Sequence, residues 1–67
     1  MKLSTLIEAI QEAGRFKATA QAAMERHRKD HPGQDYIWDV GYTRQSASAR
    51  RASVDLTRKL ADLRAGR

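Results

Sequence analysis

Thirteen Lys and Arg against eight Asp and Glu in 67 residues give a net charge of +5 and a pI near 10.3. A chain this short forms one domain at most and buries only about 60% of its unfolded surface. It has no cysteine, which excludes disulfides and thiolate metal sites and fits a reducing cytoplasm. Of the usual supports for a small fold, self-association is left.

The excess charge is shared, +2 over residues 1–31 and +3 over residues 32–67. Acids are interspersed throughout, whereas a nucleic-acid module more often gathers its basic residues on one side. Glu8 and Glu12 interrupt any apolar run near Met1, so no secretion signal is expected. No stretch approaches the roughly 20 apolar residues of a membrane span. The expectation is a cytoplasmic protein with no membrane partner.

The first segment, about 5–30, is predicted to be a helix. Thr5 and Glu8 have the spacing of a capping box, in which the hydroxyl accepts a backbone N–H and the carboxylate reaches back. Leu3, Leu6, Ile10, Ala13, Ala20 and Met24 recur at helical spacing. Acids sit early, and Arg26, His27, Arg28 and Lys29 crowd the last turn, as the helix dipole favours. Gly14 is costly within a helix and marks a possible close crossing.

His31-Pro32-Gly33 is the one strong break. Pro32 disfavours helix at His31, and Gly33 permits a reversal, so residues 31–34 are predicted to be a turn.

The second segment, about 35–65, is Ala-, Arg- and Leu-rich from Gln45 onward and reads as helix, with Gly66 as the residue that ends it. The aromatic and β-branched stretch 36–42 would also suit a short strand. Helix is preferred because Trp38 and Tyr42 continue the downstream apolar line, and Asp35 can serve the first turn. Two long helices joined by a short turn must lie antiparallel. Leu3, Leu6 and Ile7 are then expected to meet Leu60 and Leu63, Ile10 to meet Leu56, and Met24 and His27 to meet Tyr42 and Trp38. Ala13, Ala20, Ala49 and Ala52 line the middle. The expected fold is all-α: one hairpin domain spanning residues 1–67, dimerising into a four-helix bundle.

Dimerisation is expected because the second helix has two apolar lines. One reads Trp38, Tyr42, Ala49, Ala52, Leu56, Leu60, Leu63. The other, on nearly the opposite side, reads Tyr36, Val40, Ala47, Val54, Ala61, and is the candidate dimer interface. A lone hairpin can cover only one of them. Tyr36, Trp38, Tyr42, Arg44 and Arg51 are the candidate partner-binding residues, since large aromatics and arginines dominate binding hot spots. Trp38 and Tyr42 serve equally well to close the end of the core. Arg44, Arg51 and Arg58 recur every seven residues. They form either a basic strip that steers an acidic partner or a solvated face, with Asp55 pairing locally to Arg51 or Lys59.

No catalytic constellation is recognisable. His27 and His31 are four apart, with Asp35 or Asp39 near enough to add a ligand, but Pro32 disrupts the geometry and the pair reads as helix-end histidines. Arg50-Arg51-Ala52-Ser53 has the form of a kinase site yet lies on a helix near the packed face. Serines 46, 48 and 53 more plausibly keep that helix slim. A non-enzyme without cofactor is expected.

A Leu/Ile-bearing first helix, a Pro-Gly turn, and Tyr36-Ile37-Trp38-Asp39-Val40-Gly41-Tyr42 opening an Ala/Arg-rich second helix resemble small helical-hairpin proteins of temperate bacteriophages. In plan the whole chain is similar to the phage quorum-sensing anti-activators. That resemblance implies a homodimer that inhibits a larger host protein, such as a LuxR-type transcription activator or the type IV pilus assembly ATPase. It assigns no role to a particular residue. The alternatives are a small basic DNA- or RNA-binding regulator and a virion or assembly adaptor. Against the nucleic-acid reading, the first helix is long for a helix-turn-helix, and the strand of a ribbon-helix-helix is missing.

Overall fold

The computed structural model describes residues 1–37 and 43–67. These form two antiparallel helices, α1 (Leu3–Asp30) and α2 (Arg44–Arg64), with no strand among the described residues. At 1.5 Å per residue α1 is about 42 Å long, which accounts for the 43 Å long axis of the molecule.

Helix α1 starts two residues earlier than predicted. Lys2 is its N-cap, and no side chain caps it. The Thr5–Glu8 capping box does not form, because both residues already lie inside the helix. The Thr5 hydroxyl instead donates to the main-chain oxygen of Arg67, and Glu8 pairs with Lys59 across the hairpin at 2.6 Å. His27, Arg28 and Lys29 do occupy the last turn, beside an Arg26–Asp30 pair at 2.6 Å.

The turn is as predicted. The Gln34 N–H donates to the His31 carbonyl at 3.2 Å. Gly33 takes φ +84°, the left-handed conformation that a turn with proline before glycine requires.

Helix α2 begins later than residue 35. Residues 34–37 are not helical, and Thr43 is the N-cap. Its hydroxyl oxygen accepts from the Ser46 N–H at 3.1 Å, an arrangement worth about 1 kcal/mol to a helix. Asp35 is therefore not the cap of α2, and the reason is physical: the Thr43–Ser46 pair supplies the helix start farther on. Trp38, Asp39, Val40, Gly41 and Tyr42 lie outside the described residues. At the other end Gly66 takes φ +76°. Its N–H donates to the Leu63 carbonyl, and that of Arg67 to Asp62, the paired bonds of a Schellman motif.

The helices meet along small residues. Thr5, Ala9 and Ala23 of α1 and Ser46 and Ala52 of α2 are the buried residues. No large side chain is fully buried among the described residues. On α1 the seam runs Thr5, Ala9, Glu12, Phe16, Thr19, Ala23, His27, every one buried or half-buried. It is turned roughly 100°, one residue, from the predicted Leu3–Leu6–Ile10–Ala13 line. Leu3, Ile7 and Ile10 consequently face outward and Ala13 is exposed, so Leu3, Ile7 and Ile10 are not the core residues expected opposite Leu56, Leu60 and Leu63. Two interhelical ion pairs account for the rotation: Glu8–Lys59, and Arg15–Asp55 at 2.8 Å. Both require the Glu8 and Arg15 side of α1 to border α2. On α2 the seam agrees with the sequence reading, with Ala49, Leu56, Leu60 and Leu63 half-buried around Ala52.

Candidate interaction surfaces

Three surfaces remain open once the seam has formed. The first lies beside the turn. The packing of α1 against α2 near Phe16, Met24 and Ala49 leaves a groove of about 580 Å³. Ile37 and Asp35 border it from the segment after the turn, and Ser46 and Arg50 border it from α2. Its lining is chiefly apolar. That segment is tied to α1 by His27, whose Nε2 donates to the Gln34 carbonyl at 3.0 Å. The same ring lies 5.5 Å from that of His31, tilted by 43°. Its buried Nδ1 meets no hydrogen-bond partner among the described residues. No group of three potential metal ligands assembles among the described residues. Tyr36 stands 59% exposed at this end of the molecule. Its expected companions Trp38 and Tyr42 lie outside the described residues.

The second surface is the outer face of α2. Ala47, Val54 and Ala61 are all exposed there, turned from α1. Val40, expected on the same line, lies outside the described residues. Ala47 and Val54 floor a shallow groove of about 450 Å³ between Arg50, Arg51 and Arg58. The expected local pairs of Asp55 with Arg51 or Lys59 are not formed. The Asp55 carboxylate turns to Arg15 of α1, and Lys59 turns to Glu8. The Arg15 hydrogen bond holds the Asp55 carboxyl below the usual carboxylate range, with the charges of Arg15, Arg51 and Arg58 adding to it. The Glu8 bond in turn raises the Lys59 ammonium. Arg44, Arg51 and Arg58 are exposed, and none pairs with a described carboxylate. The basic strip therefore keeps its charge available.

The third surface was not singled out from the sequence. Leu3, Ile7 and Ile10 form an exposed apolar line on the N-terminal half of α1. Its signal was present as helical periodicity, but the periodicity was assigned to the intramolecular core.

No described helix is long and apolar enough to cross a membrane. Compared with protein-family models, curated proteins and solved structures, the chain matches none.

Proposed function

We infer that the protein is a small non-enzymatic regulator that works by binding another protein. It acts as a homodimer in the cytoplasm and covers a surface of a larger partner. One observation carries this reading: Leu3, Ile7, Ile10, Met24, Tyr36 and Val54 are exposed, while the buried residues of the hairpin are Ala, Thr and Ser. Such faces on a small chain mark sites for protein contact. The resemblance in plan to phage quorum-sensing anti-activators extends the reading to a phage or bacterial inhibitor. Its target would then be a host protein such as a transcription activator or a motor ATPase.

The test uses purified protein as bait in a bacterial lysate, beside Tyr36→Ala and Trp38→Ala. The expected result is a partner retained by the native chain and lost with the variants, both of which keep native helicity by circular dichroism. Unfolding of both variants would make these aromatics core residues and remove them from the binding site.

The arginine strip supports a second reading, a nucleic-acid-binding regulator, since its charges have no described carboxylate partner. A steep loss of duplex affinity with added salt would favour it.

A further inference from the structure

Leu3, Ile7, Ile10 and Gly14 follow one another along α1 at steps of four, three and four, the spacing of a coiled-coil seam. They face away from α2, with Leu3 73%, Ile7 46% and Ile10 64% exposed. A glycine in mid-helix is costly, and the hairpin gives no reason for this one: a Cβ added at Gly14 would meet nothing within 4 Å. On the same face Leu6, Gln11, Ala13 and Ala18 border the line without charge, and Lys17, one step beyond Gly14, is the first charged residue on it. The outer line of α2 differs, because Arg50, Arg51 and Arg58 border Ala47 and Val54. Two copies of that face would bring three arginines from each together, with Asp55 of the same groove already engaged by Arg15, whereas the α1 line carries no charge from Leu3 to Gly14.

Area also favours association. The chain exposes 5302 Å², where a compact monomer of 7.6 kDa would expose about 4,300 Å². The excess, about 1,000 Å², is enough to supply the roughly 800 Å² that each partner loses in a standard interface, and it calls for a second copy on either face.

We propose that a second copy of the chain docks on this line, α1 against α1, through Leu3, Ile7 and Ile10, with Gly14 letting the two backbones close together. The proposal rests on the dimer reading above and moves its interface from α2 to α1. The arginine-bordered face of α2 is then free in the dimer, so self-association and target capture do not compete.

A two-fold axis through the middle of this line sets Ile7 against its own copy in a parallel pair and against Ile10 of the second copy in an antiparallel one. The chain has no cysteine, so single-cysteine variants report this directly. Under mild oxidation Ile7→Cys, alone for a parallel pair or mixed with Ile10→Cys for an antiparallel one, should give a disulfide-linked dimer, and Val54→Cys should remain largely uncrosslinked. In sedimentation velocity Ile10→Glu should weaken the dimer by about tenfold or more, and Val54→Glu should leave it unchanged. Both sites are exposed, so helicity should be retained; were Ile10→Glu to unfold, the Ile7→Cys crosslink decides. A dimer broken by Val54→Glu and indifferent to Ile10→Glu would overturn the α1 assignment and leave the dimer reading intact. A native chain that stays monomeric at every concentration would overturn both.

Discussion

Replacing Ala52 by leucine tests the seam most directly. Ala52 is fully buried. The hairpin register sets Arg15 across from Asp55 and Glu8 across from Lys59, so Ala52 lies level with the Phe16–Thr19 stretch of α1. A leucine there adds three carbons where the helices touch, and overpacking of this kind costs about 1–3 kcal/mol. A domain of this size loses about 4–8 °C of Tm per kcal/mol, so the melt should fall by roughly 4–24 °C. Ala61→Leu makes the same change on the exposed side of the same helix, where surface substitutions stay within about 0.5 kcal/mol. Thermal melts at 222 nm, run at matched protein concentration because association shifts Tm, give the comparison. If Ala52→Leu melted with or above the native chain, the small-residue seam would not be what joins α1 to α2.

Thr43→Ala should destabilise α2 by about 1 kcal/mol, with Thr43→Ser close to neutral; denaturant midpoints of the two variants separate the lost cap from lost packing. The two interhelical ion pairs predict opposite pH limits. Asp55 is depressed in the folded chain, so its contribution is present above the unfolded carboxylate value of about 3.9 and is lost as pH falls through the lower folded value. Lys59 is raised, so its contribution is complete below the unfolded value of about 10.4 and is lost as pH rises through the higher folded value. Denaturant midpoints measured from acid to alkaline pH should decline at both ends. Asp55→Asn should flatten the acid limb and Lys59→Met the alkaline one; unaltered limbs would remove these pairs from the account of stability.

Local signals were legible and long-range ones were not. The Pro32-Gly33 reversal and the Gly66 helix end are decided by a few neighbouring residues, and both stand where the sequence puts them. The start of α2 carries a local signal in Thr43 three residues before Ser46, but the recurrence of Trp38 and Tyr42 at helical spacing masks it. The rotation of α1 could not be read locally, because that helix carries two candidate lines. Periodicity favours the oilier Leu3–Leu6–Ile10 line. The structure packs the leaner Thr5–Ala9–Phe16–Ala23 line, which lets Glu8 and Arg15 reach α2. Asp55 shows the same limit: Arg51 is four residues away in sequence, while Arg15, forty residues away, becomes its partner only through the register. The exposure of Ala47, Val54 and Ala61 follows directly from helical geometry. That Arg51 and Arg58 meet no carboxylate among the described residues depends on where Asp55 turns.

While Phe16, Leu56, Leu60 and Leu63 flank the narrow join between the helices half-buried, Leu3, Ile7, Ile10, Met24, Tyr36 and Val54 stand outside it. Changes to those residues, which set what the molecule grips, therefore leave its scaffold almost untouched. A lineage carrying this hairpin is free to retarget its outer faces one substitution at a time, with selection for folding acting mainly on a few alanines, one threonine cap and two oppositely charged pairs.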